Sequence, residues 1–209
     1  MQGLVGTSFN KSPFLSDLIQ NHNSIWCAVT ETWLNPDISD SELLVHLPGY
    51  TLLRSDRAGR TRGGVCLFLR DDLSGEVLST FSNGVCELLV VQVHQHNTVV
   101  AICYRPPDTT LHEFDAALAR LDEVLLDLPV PTPTIALMGD FNFPAGTVSW
   151  SREDGALLPR VAAHWQVANH SIVQTVDCTS QGSEVLDLIW TNNLRFTDTA
   201  SSLPAPPIR

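Results

Sequence analysis

Ile135-Ala136-Leu137-Met138-Gly139-Asp140-Phe141-Asn142 decides how the rest of this chain is read. Four apolar residues, bounded upstream by the proline-rich stretch 129–133, are too few for a helix and read as a fully buried strand that runs into a glycine and polar residues. If the chain stays extended through Phe141, the two-residue period sets Asp140 and Asn142 on one side and drives Phe141 into the opposite layer. A carboxylate and an amide then converge where the strand ends, and layered α/β folds place ligand sites off such carboxyl ends. Read alone, Gly-Asp-Phe-Asn is equally a strand-ending turn, since Gly, Asp and Asn are ordinary turn residues. The rest of the chain decides between the two.

A length of 209 residues suits one domain, and 44% hydrophobic residues is enough for a core. No apolar run approaches the roughly 20 residues needed to span a bilayer, and Met1 to Asn10 has neither a basic nor an apolar leader region. The expectation is a soluble, unsecreted protein, nuclear or cytoplasmic, with no membrane association and no protein partner. Five cysteines is an odd number, and Cys27, Cys66, Cys86 and Cys103 sit in apolar strand-like runs without Cys-x-x-Cys spacing. They read as small buried hydrophobes in a reducing compartment, supporting neither zinc ligation nor a disulfide framework. A net charge of −11 argues against wholesale nucleic-acid binding. Yet Arg54, Arg57, Arg60 and Arg62, four of the 12 basic residues, fall within nine positions, either a solvated loop or a local phosphate-contacting one.

Along the chain, residues 1–12 give no clear element. Phe14 to Gln20 reads as a short helix and Ile25 to Val29 as a buried strand that runs out into Thr30-Glu31-Thr32-Trp33-Leu34, so Glu31 is a second carboxylate at a strand end. Ser41 to Leu47 is a helical turn stopped by Pro48-Gly49, and Tyr50 to Arg54 is extended. Four β-rich segments follow: Gly64 to Arg70, Gly75 to Thr80, Val85 to His94 and Thr98 to Tyr104. The last two flank the hairpin-length Gln95-His96-Asn97 and are expected to pair antiparallel, ending at Tyr104-Arg105-Pro106-Pro107. Leu111 to Leu128 carries apolar residues three and four apart, the pattern of a helix laid on a sheet, with Thr109 or Thr110 as cap and Glu113 in capping-box position. Ala156 to Trp165 reads as a second helix. Val173 to Val176 and Val185 to Trp190 read as the last strands, and the proline-rich Leu203 to Arg209 as irregular. The fold these elements imply is an α/β sandwich: two sheets face to face, helices on the outer faces.

The polar residues at strand ends are Glu31, Tyr104, Asp140 and Asn142, with Asp187 inside the final strand. Gathering three carboxylates in one region is costly unless a cation or hydrogen-bond donors compensate. All the candidate ligands are oxygens, which points to magnesium or manganese rather than zinc. Taken singly, Tyr104 is equally a rim aromatic and Asp187 a structural carboxylate.

Thr30-Glu31-Thr32-Trp33-Leu34, Arg54-Ser55-Asp56-Arg57 with Gly63-Gly64-Val65, Cys103-Tyr104-Arg105-Pro106-Pro107, Gly139-Asp140-Phe141-Asn142-Phe143-Pro144 and Leu186-Asp187-Leu188-Ile189-Trp190-Thr191-Asn192 occur in this order. Together they resemble the endonuclease domain of non-LTR (LINE-type) retrotransposons, within the DNase I-like endonuclease/exonuclease/phosphatase superfamily. The resemblance spans residues 10–209 and leaves residues 1–9 unmatched. It implies a magnesium- or manganese-dependent DNA-nicking domain of a reverse-transcriptase polyprotein. It also implies Glu31 and Asp140 as metal ligands, and catalytic roles for Asp140, Asn142, Tyr104 and Asp187. Arg54, Arg57, Arg62 and Asn142 are the expected substrate contacts, and DNA the expected partner. Two departures stand out: the family's first, asparagine-bearing strand is not matched, and no Ser-Asp-His follows the Asp187 motif. Both predict a domain truncated at its ends and impaired in activity. A phosphomonoesterase of the inositol-phosphatase kind and a non-catalytic remnant are the other readings.

Overall fold

The computed structural model describes residues 4–6, 9–57, 59, 62–84, 86–128, 133–143, 173–174, 179–181 and 184–193. The expected helix at Ala156 to Trp165 and the irregular tail lie outside these residues, as do Thr175 and Val176.

In chain order the elements are β1 (Val5–Gly6), β2 (Phe9–Asn10), α1 (Ser12–Asn21), β3 (Trp26–Thr30), α2 (Asp40–Leu44), β4 (Tyr50–Ser55), β5 (Val65–Arg70), β6 (Gly75–Ser82), β7 (Glu87–Val93), β8 (Thr98–Tyr104), α3 (Leu111–Leu126), β9 (Thr134–Phe143), β10 (Val173–Gln174), β11 (Thr179–Gln181) and β12 (Glu184–Thr191). A small sheet runs β3-β5-β4. A seven-stranded sheet runs β10-β12-β9-β8-β7-β6, with β11 also on β12. Among the described strands, β8 and β9 are the parallel pair, joined through α3.

Alternation along the strands sorts the core into layers. Leu89, Val91, Val100, Ile102, Ala136 and Met138 face Val65, Leu67 and Leu69 between the two sheets. The alternate residues Leu88, Val90, Val99, Ala101, Ile135 and Leu137 pack under Phe114, Leu118, Leu121 and Leu125 of α3. On the outer face of the small sheet, Leu15 and Ile19 of α1 meet Val29, Leu52, Cys66 and Phe68. The order is helix, sheet, sheet, helix, the expected sandwich.

Most sequence expectations land within a few residues. The α3 cap is Thr110: its Oγ1 accepts the Glu113 N–H at 3.2 Å, while the Glu113 carboxylate accepts the Thr110 N–H at 2.9 Å. Cys66, Cys86 and Cys103 are buried and Cys27 half-buried, all four free thiols. No helix of the described residues is long and apolar enough to cross a membrane.

The sequence reading missed β11 and the two short strands at the start of the chain. Val5–Gly6 and Phe9–Asn10 pair antiparallel. Beside them the Leu4 N–H donates to the Thr32 carbonyl at 2.8 Å, so this start of the chain docks on the loop that carries Glu31. A two-residue ladder has no periodicity to detect; backbone bonds and the buried Leu4 hold it.

Candidate active site at the open end of the two sheets

The site follows from register. In the parallel pair, Tyr104 at the end of β8 lies beside Asp140 on β9. On the far side of β9, Asp187 of β12 is paired with Asp140, beside a register shift between Val185 and Asp187. On the near side of β8, Glu87 of β7 is paired with Tyr104. Directly paired residues share a face, so Glu87, Tyr104, Asp140 and Asp187 form one row across four neighbouring strands.

Gly139 makes this alignment sterically feasible. Its φ is +152°, and a Cβ there would sit 1.8 Å from the Cys103 carbonyl oxygen, an overlap that excludes every side chain. Phe141 goes into the opposite layer, fully buried, edge-on to Trp190 with centroids 4.7 Å apart and to Phe114 at 6.1 Å. Strict alternation then fails at Asn142, whose φ of +42° bends the strand. Its Nδ2 donates to the Arg105 carbonyl at 2.9 Å.

Glu31 comes from the small sheet. It leaves β3 in a left-handed conformation, φ +53°, followed by Trp33 at φ +58°. Thr32 N–H donates to the Gly64 carbonyl at 3.2 Å and Trp33 N–H to the Gly63 carbonyl at 2.8 Å, which pins this turn to the glycine pair. The turn carries Glu31 across the gap, where the Tyr104 hydroxyl donates to Glu31 Oε1 at 2.6 Å. That bond links the small sheet to the large one.

Electrostatics mark Asp140 as the strained member. Burial, first, and then the Asp187 charge raise its carboxyl to about 7; Asn142 hydrogen bonds pull it back, and Glu31 pushes it up again. Asp140 Oδ1 is buried with no hydrogen-bond partner among the described residues. Tyr104 is pushed well up, by burial and then by its bond to Glu31, so it remains a neutral donor.

These groups fit a hard cation. A buried carboxylate oxygen without a donor, facing other oxygen ligands, is the environment such an ion stabilises. Among the described residues no three of His, Cys, Asp and Glu close into a metal cage.

The expected arginines part company. Arg54 ties the loop down, with Nη1 3.0 Å from Asp40 and Nη2 3.2 Å from Asp56, and bonds to the Ile38 and Asn35 carbonyls. Arg57 turns inward onto Glu87. Arg62 is exposed at the rim, its guanidinium 5.4 Å from the Trp33 ring centroid.

Two residues that the sequence reading did not single out support the row. Glu87 stands alone in the apolar run Cys86 to Val91, and that isolation was the available signal. Arg105, 1% exposed, donates from Nη1 to the Phe141 and Asn142 carbonyls at 3.0 and 2.7 Å and from Nη2 to the Thr109 carbonyl, while its backbone N–H donates to the Asp140 carbonyl at 2.9 Å. It ties the ends of β8 and β9 to the start of α3. Its place between Tyr104 and two prolines was the signal.

Two facing sheets sheathed by helices, an α/β sandwich, have the DNase I-like fold. The chain belongs to the endonuclease/exonuclease/phosphatase family, whose model matches residues 10–208. Solved structures agree on the fold. The AP endonuclease of Archaeoglobus fulgidus is 14% identical over 87% of this chain and 81% of its own, with a TM-score of 0.54. The endonuclease domain of TRAS1, a telomere-specific non-LTR retrotransposon, is 13% identical over 86% and 77%, with a TM-score of 0.58. A mannosyl-6-phosphatase of Bacteroides thetaiotaomicron is 12% identical over 87% and 76%, with a TM-score of 0.53. No curated protein sequence matches. The family is generally dependent on divalent metal ions.

Proposed function

We propose that this chain is the DNA-nicking endonuclease domain of a retroelement reverse-transcriptase polyprotein, hydrolysing phosphodiester bonds with magnesium or manganese at Glu31 and Asp140. The observation that carries the reading is the bond from Tyr104 to Glu31 beside Asp140, whose Oδ1 lacks a partner among the described residues. Five motifs in family order support it from the sequence.

When bound, the divalent ion polarises the phosphate and neutralises charge on its oxygens. Tyr104, held neutral, turns its hydroxyl from Glu31 to a non-bridging phosphate oxygen as charge grows there. Asp140 positions the attacking water and receives its proton. Asp187 keeps Asp140 basic by its charge and Asn142 orients it, while Arg105 holds the strand ends still. Arg62 and Trp33 meet the flanking nucleic-acid strand at the rim, Arg62 by charge and Trp33 by stacking.

The test is nicking of supercoiled plasmid. Weak magnesium-dependent conversion to open circle, abolished in Asp140→Ala, is the expected result, weak because no Ser-Asp-His follows the Asp187 motif. The likeness to a mannosyl-6-phosphatase keeps one alternative: turnover of small phosphate monoesters without plasmid nicking would replace the nuclease by a phosphatase of the same fold.

A further inference from the structure

Arg57 and Glu87 form an ion pair that the chemistry above does not use. The Glu87 side chain has no exposure and that of Arg57 has 8%. The pair is bidentate: Nε donates to Oε1, and Nη2 to Oε2 at 2.8 Å, with the Gly64 N–H adding a third bond at 3.3 Å. Burial raises the Glu87 carboxyl while Arg57 pulls it back, and the arginine remains charged. An enclosed ion pair gives little net stability over an apolar pair of the same volume. What it does give is geometry, because a planar fork on a carboxylate has one orientation.

That orientation lays the guanidinium across the Tyr104 ring, 5.3 Å from its centroid. Glu87 is also the register neighbour of Tyr104. On the other side there is no room for a side chain at Gly63, where a Cβ would lie 2.4 Å from Arg57 Nε. The same glycine pair receives the Thr32 and Trp33 N–H groups that set the Glu31 turn. Arg57 is thus enclosed by a carboxylate, a glycine backbone and the face of the tyrosine.

We infer that Arg57, locked by Glu87, is a positioning residue that fixes the Tyr104 ring so that its hydroxyl is delivered to the metal and phosphate site. It acts through Tyr104 rather than by touching substrate. As a statement about catalysis this rests on the nuclease reading; as a statement about the ring it does not.

The chain has two tyrosines, Tyr50 and Tyr104, which makes a direct readout available. Protein labelled with 3-fluorotyrosine gives two ¹⁹F resonances, the Tyr104 one identified by its loss in Tyr104→Phe. In Arg57→Met the Tyr104 resonance shifts and broadens while that of Tyr50 stays. If Arg57→Met does not melt cooperatively, Glu87→Gln and Arg57→Lys carry the same reading, since neither keeps the bidentate fork. In single-turnover nicking, Arg57→Met lowers the rate roughly tenfold or more with half-saturation within about twofold. In a Tyr104→Phe background the same substitution costs less than about twofold, because the group it positions is gone. An unmoved Tyr104 resonance in a folded variant, or full additivity with Tyr104→Phe, overturns the inference and leaves Arg57 as a structural ion pair. If the unsubstituted chain nicks no DNA, the nuclease reading fails, and the fluorine spectra alone decide whether Arg57 holds the ring.

Discussion

The two sheets supply their halves of the site by different means. On the large sheet the ladder does the work: Glu87, Tyr104, Asp140 and Asp187 align because β7, β8, β9 and β12 are paired in one register. A slip of one residue would turn the whole row to the other face. On the small sheet no ladder reaches the site. Glu31 arrives on a turn with two left-handed residues, held by bonds to Gly63 and Gly64. The large-sheet half is therefore hard to disturb short of unfolding, whereas the small-sheet half can be displaced while the fold stands.

The strongest way to break this contrast is Gly139→Ala. Its Cβ meets a backbone carbonyl at 1.8 Å, so the central parallel pair must separate. We expect about 4 kcal/mol or more of destabilisation, or no soluble protein, in urea denaturation. A mild effect would mean that the β8 to β9 register is looser than described.

Asp140→Asn separates activity from stability. Nicking falls about a thousandfold or more, as when a group acting in the transition state is removed. Thermal stability at pH 8 stays level or rises, because the substitution removes a half-buried carboxylate held in its unfavourable charged form. The pH dependence has a definite sign. The folded Asp140 carboxyl is raised from 3.8 to about 7, so the folded state binds the proton more tightly. The stability this proton contributes is complete below about 4 and is lost as pH rises through about 7. Melting temperature of the metal-free protein should fall over that window, magnesium should restore it at pH 8, and Asp140→Asn should abolish both responses.

Gly64→Ala tests the small-sheet half. With φ +83° and a Cβ 2.6 Å from Thr32 Oγ1, it should cost about 1–3 kcal/mol, yet lower nicking more than the stability loss explains. Equal activity at a temperature where the variant is folded would show that Glu31 does not depend on this turn.

The smallest expected effect separates Arg54 from Arg62. Arg62→Ala should weaken DNA binding a few-fold and reduce the slope of log affinity against log salt by about one. Arg54→Ala should leave that slope unchanged and lower the melting temperature, since its guanidinium ties Asp40 and Asp56 together. A salt slope that responds to Arg54 would return it to the substrate contacts.

Much of this was legible beforehand. Strand runs such as Leu88 to Val93 and Thr98 to Ile102, the α3 stripe and the Thr110 capping box state their secondary structure in periods of two or 3.6 residues. The Gly-Asp-Phe-Asn stretch announced a polar strand end with Phe141 turned the other way. What stayed illegible had no period. The Leu4 docking rests on single backbone bonds, Asn142 leaves the alternation through one positive φ, and Arg57 faces a partner 30 positions away. Arg54, Arg57 and Arg62 look alike in sequence, yet the first ties a loop, the second is locked under a tyrosine and the third is exposed, while Arg60 lies outside the described residues.

By itself the sequence determined the strands, the layers and the cast of oxygen-bearing side chains, because hydrophobic periodicity and turn chemistry are local properties of the chain. Only the tertiary structure decided which of those side chains meet. Register between strands, the close approach of Cys103 to Gly139 and the bond from Tyr104 to Glu31 across 73 positions are relations between distant segments. Folding sets them through the packing of one sheet on the other.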